Sequence, residues 1–534
     1  MSEGPVFVGP GTSRDLPAHV DVLIVGSGPN GATYARVLSE QAPRARILMV
    51  DTGPRLTTVP GVHARNIADP VERAEVVAGS EGGRRTASAV IGVHLRQNGP
   101  HIVPAAGTFF VDPDRAARNE AGTLPAAALS SNVGGMGRHW AAATPTPHPA
   151  ELPESVPVGE WSELLATART LVSTNSAPMT STGEWAECLR RLGAAFDSRL
   201  PPGRKTGDMP IARRVDARGT VVWSGTDTIL GTLATEPRDS FAIAADTVCT
   251  GLVEERGRIT AATLASVLDG SVRTVAATVV IAAADSLRTP QLLWASDIRP
   301  DALGRYLGDH IIVSAAITPD YFDRHDDVTA IFEANRSLDD TAGTPSMGLG
   351  TIPFDPDHHP MHVQVGQAAI YPRDTGRGKG VVMFGCMLAK DARIEDRVRF
   401  SDHGADRYGM PAIEFDYSLT DRDHELIELA RRDVGRAAEA LGADAAVHPR
   451  IQPLGMSLHY LGTTRTGARD DGTSVCDSTS RVWGIDNLYV AGNGVLPAQF
   501  SCNPTLASVA MSVRGARAAS AKLENSWRKP VTAV

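Results

Sequence analysis

Apolar positions along this chain fall into two textures. In the first, short apolar runs alternate with glycine-marked turns. Val20 to Val25 is β-branched-rich and too short for a helix, so it predicts a buried strand of a parallel sheet. Ala32 to Glu40 then carries an apolar helical face, and Arg46 to Val50 gives a second apolar strand. Much later, Phe241 to Val253, Ile259 to Leu268 and Val275 to Ala283 alternate or run apolar between polar turns, as successive strands of a sheet layer would. The last of these enters AAADSLRTPQLLWAS, a strand-to-helix turn with Pro290 in the first helical turns.

The second texture runs from about Gly308 to Gly455. Ile413, Phe415 and Tyr417 alternate with Glu414 and Asp416, which predicts a strand with one wet face. Thr420 with Asp423 predicts a capped helix start, Ile427, Ala430, Val434 and Ala438 form its apolar stripe, and Gly442 stops it. Gly484 to Val490 returns to the first texture. The chain therefore reads as α/β: a discontinuous dinucleotide-binding domain (19–53, 106–150, 200–307 and 456–534) and an α+β substrate domain (151–199 and 308–455). Residues 1–18 read as a tail. Residues 54–105 lack sustained periodicity and read as an insertion, either a lid or oligomerisation arm or a solvated loop, with Gly79 to Arg85 an exposed, mobile stretch.

A length of 534 residues exceeds one ordinary core and fits two intertwined domains. Hydrophobic residues at 42% and charged ones at 21% describe a globular protein, and a net charge of −9 without a basic block argues against nucleic acid. Five scattered cysteines without a CxxC predict neither a disulfide framework nor a zinc ribbon, which fits a reducing compartment. No apolar h-region opens the chain and no run reaches about 18 apolar residues, so a cytoplasmic protein without a membrane span is expected.

Candidate chemistry begins at Gly26-Ser-Gly28-Pro-Asn-Gly31, between the first strand and helix. Gly26 suits the tight turn, Gly28 the approach of backbone N–H groups to a pyrophosphate, and Gly31 close helix–strand packing. Asp51, at the end of the second strand, stands where an acid accepts bonds from ribose hydroxyls. SSNVGGMGRHWAAATP, at 130–145, lets backbone approach something flat or large beside a His-Trp pair. His358, His359 and His362 carry a metal-like spacing, but Pro360 separates them and no helical pattern surrounds them, so no metal site is predicted. No GxSxG elbow follows a strand. His459, with Gly462-Thr-Thr after it, and Asn503, before Pro504 at a helix start, remain as the pair suited to alcohol oxidation. A neutral imidazole takes the hydroxyl proton while the adjacent carbon gives up hydride.

These stretches resemble the glucose-methanol-choline (GMC) oxidoreductase family, and within it the pyranose oxidase branch. The resemblance rests on IVGSGPNGATYAR with VDTG at 50–53, GVHARN at 61–66, VGGMGRHWAAATP at 133–145 and LRTPQLL at 287–293. It continues in RVRFSDHGADRYGMPAIEFDY at 397–417, LHYLGTTRTG at 458–467 and RVWGIDNLYVAGNGVLPAQFSCNPTLAS at 481–508. The resemblance implies FAD, a Rossmann-like FAD-binding domain and a substrate domain on a six-stranded sheet, an architecture similar to p-hydroxybenzoate hydroxylase. It implies oxidation of a secondary ring hydroxyl of a pyranose sugar or glycoside to the keto-sugar, with oxygen or a quinone-type acceptor. By matched position, His459 is the general base and Asn503 its partner. Gly26, Gly28, Gly31 and Asp51 hold the adenosine diphosphate, Val248 lies near adenine, and Gly492 and Asn493 contact the middle of the flavin. Gly134, Gly135, Arg138, His139, Trp140 and Ala141, with Pro504 and Thr505, complete the implied cofactor set, and Gln364 is the implied substrate contact. His139 matches the histidine that is covalently bound to flavin in fungal members. Arg138 and Ala141 depart from the threonines flanking that fungal His-Trp pair, which leaves covalent attachment open. The 54–105 insertion also departs from the fungal pattern and looks more like bacterial relatives that oxidise C3 of glycosides. Oxidation at C2 of free glucose, a sterol or alcohol oxidase, and a flavin-binding regulator without turnover are the alternatives. Neither the acceptor nor the choice of monomer or homo-oligomer follows from the sequence.

Overall fold

The computed structural model describes residues 16–81, 102, 104–179, 183–217, 219–321, 348–370, 379–443 and 446–528. Two large sheets organise them. The first has seven strands, in the order Thr247–Glu254, Ile259–Ser266, Val272–Ala282, His19–Val25, Ile47–Val50 and Phe241–Ala244, with Leu488–Val490 also pairing to Val272–Ala282. His19–Val25 runs parallel to both of its neighbours, matching Val25 to Ala282 on one side and to Val50 on the other. That register brings three strand ends to one level, where the Gly26 turn sits. Helix Pro29–Gln41 follows this turn, and its buried Ala32, Ala35 and Leu38 join the core of the first sheet. The C-terminal helix Thr505–Arg528 packs its buried face into the same core.

The second sheet has six antiparallel strands: Arg450–Ile451, Ile311–Ile317, Lys379–Leu388, His362–Ile370, Leu349–Ile352 and Gly207–Asp208. One face carries Val313, Val363, Val365, Phe384 and Cys386 into a separate core with helices Gly183–Phe196 and Asp421–Ala440. The latter helix starts at Thr420, whose hydroxyl accepts from Asp423 N while the Asp423 carboxylate accepts from Thr420 N. This capping box satisfies two of the helix's unpaired donors, as the sequence predicts.

Several expectations are corrected. Phe241 to Val253 is two strands rather than one, because Asp246 at φ +49° turns the chain from the outer edge of the parallel strands to the antiparallel meander. Helix Val158–Leu171, expected with the substrate domain, buries Trp161, Leu164 and Leu165 in the first core, whereas Gly207–Asp208 joins the second sheet. Residues 54–81 are not an unstructured insertion. Pro70–Ser80 is a helix capped by Asp69, whose carboxylate accepts from Val71 N and Glu72 N, and His63 is buried. The Asp-Pro pair at its start was the readable signal, obscured by the lack of a long apolar stripe. Of the Gly79 to Arg85 stretch, Gly79 and Ser80 end this helix and residues 82–85 lie outside the described residues. No described helix is long and apolar enough to cross a membrane.

Candidate active site

The glycine turn is held by sterics and by one carboxylate. A Cβ on Gly26, which sits at φ +106°, would lie 2.2 Å from the carbonyl oxygen of Ala283. A Cβ on Gly31 would lie 2.1 Å from the carbonyl oxygen of Gly26, so strand and helix meet in contact only glycine permits. Around Gly28, in contrast, nothing stands within 4 Å, and the helix beginning there has no side-chain cap. Open space beside uncapped N–H groups is what an anion needs. Asp51 accepts from Ser27 N at 3.0 Å, Ser27 Oγ at 2.5 Å and Gly53 N at 2.9 Å, and Ser27 Oγ in turn accepts from Gly134 N at 2.8 Å. Burial raises the Asp51 pKa, and those hydrogen bonds oppose the rise.

A single cavity of ≈ 410 Å³ runs from this turn to the second sheet. Gly26, Gly28, Asp51 and Val248 line one part of it. Gly135, His139, Trp140 and Ala141 line the next, followed by Gly492, Asn493 and Thr505, and then by Gln364, His459 and Asn503. Four residues of the expected set do not line it: Gly31, Gly134, Arg138 and Pro504. Gly31 and Gly134 brace the turn from behind. Arg138 is fully buried away from the cavity, its Nη1 3.4 Å from Thr57 Oγ1, and burial lowers its pKa to about 10. His139 shares a hydrogen bond with Ser130 Oγ at 3.1 Å through Nε2. Its buried Nδ1 has no protein partner, and burial, with Arg138 nearby, lowers its pKa to about 3.

His459 sits on a strained turn. Leu458 precedes it at φ +60°, a conformation that costs a non-glycine residue about 1–2 kcal/mol. Asp309 holds the turn: its Oδ1 accepts from His459 N at 3.0 Å and from Ser457 Oγ. Burial raises the Asp309 pKa to about 6. The His459 ring meets His310, Nδ1 to Nδ1 at 3.0 Å, and His310 Nε2 lies 2.8 Å from the carbonyl oxygen of Phe500. Burial keeps the His459 pKa well below the ordinary histidine value, so the ring is neutral at neutral pH.

Asn503 stands on a loop pinned at successive residues. Phe500 is held through His310. Ser501 N and Cys502 N donate to Glu151 Oε1 at 2.8 and 2.9 Å, and Ser501 Oγ donates to the Met387 carbonyl of the second sheet at 2.9 Å. Gln364 Nε2 then donates to Asn503 Oδ1 at 2.7 Å, which leaves the Asn503 amide hydrogens for another acceptor. The remaining floor alternates along neighbouring strands. Ile312 and Ser314, Met383, Gly385 and Met387, and Gln364 and Gly366 all line the cavity, while residues between them, such as Val313, Val363, Val365 and Cys386, enter the second core.

Sequence reasoning missed Glu151, Asp309, His310 and Ser457 because their partners are far away in the chain. Some signals existed. His148 and Glu151 have capping-box spacing, and Gly366 and Gly385 interrupt apolar strands, a mark of close approach by a ligand. The three histidines of HHPMH separate: His358 bonds Asp355, His359 lies 3.5 Å from Asp433, and His362 N donates to Ser501 Oγ.

Residues 395–512 match the model of the GMC oxidoreductase family. The chain is 41% identical to C-glycoside 3-oxidase of Microbacterium trichothecenolyticum, covering 95% of this chain and 97% of that one. It is 31% identical to pyranose 2-oxidase of Tricholoma matsutake, covering 95% of each. Among solved structures, pyridoxine 4-oxidase from Mesorbium loti shares the fold at a TM-score of 0.62 and 17% identity, covering 93% of this chain and 99% of that one. The glycine cradle and the open space at Gly28, on one cavity with His459 and Asn503, fit a dinucleotide, and this chain belongs to the GMC oxidoreductases, with FAD as its cofactor.

Proposed function

We propose that this enzyme oxidises a secondary ring hydroxyl of a pyranose glycoside to the ketone, at C3 in preference to C2, with oxygen or a quinone-type compound as final acceptor. The observation that carries the reading is the convergence of His459, Asn503 and Gln364 on the cavity that also contains the glycine turn. FAD, when bound, supplies a two-electron acceptor for hydride. The chain's own residues do the rest. Asn503 donates an amide hydrogen to the substrate oxygen, and its orientation is held by Gln364. His459, neutral because it is buried, takes the hydroxyl proton, and the electron pair left on oxygen forms the carbonyl as the carbon loses hydride. Desolvation by the surrounding apolar wall strengthens both polar contacts.

Two observations favour a glycoside with a sizeable aglycone over free glucose. The chain shares more identity with the C-glycoside 3-oxidase than with the pyranose 2-oxidase. The cavity floor also has glycines at 366 and 385, on adjacent strands, where a side chain would take up room. Anaerobic bleaching of the flavin by an aryl C-glycoside and by glucose, with the keto position of each product read by NMR, tests this. Faster bleaching by the glycoside and a 3-keto product are expected; preference for glucose with a 2-keto product would replace the proposal.

A further inference from the structure

We propose that His310 sets the tautomer of His459, holding hydrogen on its Nδ1 and leaving its Nε2 lone pair free for the substrate hydroxyl. The proposal rests on the reading of His459 as the base and makes His310 a positioning residue. A carbonyl oxygen only accepts, so the 2.8 Å contact with Phe500 places a hydrogen on His310 Nε2. Burial lowers the His310 pKa to about 4, so its ring is neutral at neutral pH and carries one hydrogen. Nδ1 of His310 is then a lone pair. The atom 3.0 Å from it, Nδ1 of His459, must be the donor. A neutral His459 has no second hydrogen, and its Nε2 is bare.

The order of these contacts explains why the tautomer is fixed rather than averaged. Phe500 belongs to the loop that presents Asn503, and this loop is tied to Glu151 and to the second sheet. Moving the hydrogen of His459 to Nε2 would bring two ring lone pairs together at 3.0 Å inside a buried site. When the O–H bond of the substrate breaks and an N–H bond forms at Nε2, His459 becomes a cation. Its Nδ1–H bond to His310 then becomes charge-assisted.

The other titratable groups facing the pair give no such support. His362 is kept neutral by burial, which lowers its pKa to about 3, and so offers no counter-charge; Asp309 is committed to Ser457 Oγ and His459 N, and Tyr417 donates to the Asp309 carbonyl rather than to either ring. Among the described residues, no carboxylate hydrogen-bonds the His459 ring. The second imidazole takes the place that an acid holds in many catalytic histidine pairs.

The test uses FAD-loaded enzyme with His310→Leu, which has no acceptor, and His310→Asn, whose Oδ1 can stand near the place of Nδ1. Flavin reduction by saturating glycoside is followed without oxygen between about pH 5 and 9, alongside FAD content and Tm. The leucine variant is expected to lose roughly 10–100-fold across the whole range, and asparagine to recover most of that loss. Wild-type rates in the leucine variant, or an asparagine variant that loads FAD but is no faster, would overturn the proposal. Histidine-selective 15N NMR of the wild-type holoenzyme reads the tautomer directly, even if His310→Leu does not fold. His459, assigned by its absence in His459→Ala, should be protonated at Nδ1 and bare at Nε2; the reverse pattern refutes the assignment. Unchanged flavin reduction in His459→Ala would instead remove the base itself, a failure distinguishable from a fault in His310 alone.

Discussion

The seven-stranded sheet meets the cavity through its strand ends, whereas the six-stranded sheet meets it through a face. At the strand ends the work is done by backbone: Gly26, Gly28 and Gly31 form a turn that leaves N–H groups open, and Asp51 serves mainly to brace it. On the face the work is done by side chains, with Gln364 steering Asn503 across a floor that includes Gly366 and Gly385. Glycine therefore means different things on the two sides. At Gly26 it relieves a collision with neighbouring backbone, but at Gly385 the nearest heavy atom to an added Cβ is 3.8 Å away, so glycine there mainly makes room.

The largest expected effect lies on the side-chain half. His459→Ala and Asn503→Ala should each slow flavin reduction by roughly 10²–10⁴-fold while FAD stays bound, measured by anaerobic stopped flow and by the flavin spectrum. Loss of FAD from both variants would mean that the two halves are not separable. Next comes Gly26→Ala. Its positive φ and the 2.2 Å approach to Ala283 predict a cost of about 2–5 kcal/mol, seen as a lower Tm and a protein isolated with little FAD. The smallest effect is expected from the same substitution on the other sheet. Gly385→Ala should leave Tm unchanged or slightly raised, since alanine loses less entropy in a strand, yet raise KM for a bulky glycoside by roughly tenfold and for glucose by less. Equal losses of stability at positions 26 and 385 would erase the contrast between strand end and face.

Local pattern carried a good deal of this molecule. The Gly26 turn, its flanking strands and helix, and the Thr420 cap were readable because each depends on residues a few positions apart, where sterics and periodicity act directly. His459 and Asn503 were readable as chemical types, and the roles proposed for them rest on the family resemblance. The helix Pro70–Ser80 was missed because its start is marked by the Asp69 cap while Val76 is its one buried apolar side chain, so no apolar stripe announces it. The break at Asp246 was missed because two strands of like composition abut in sequence and part in space.

By itself, then, the sequence determined the backbone-made cradle and the α/β class, and it singled out His459 and Asn503 as candidates for the chemistry. Which face of each group meets the cavity was decided only by tertiary structure. A lone histidine does not state which nitrogen bears its hydrogen; His310 and the Phe500 carbonyl, brought to His459 from distant segments, do so because hydrogen-bond direction is fixed by what each neighbour can donate or accept.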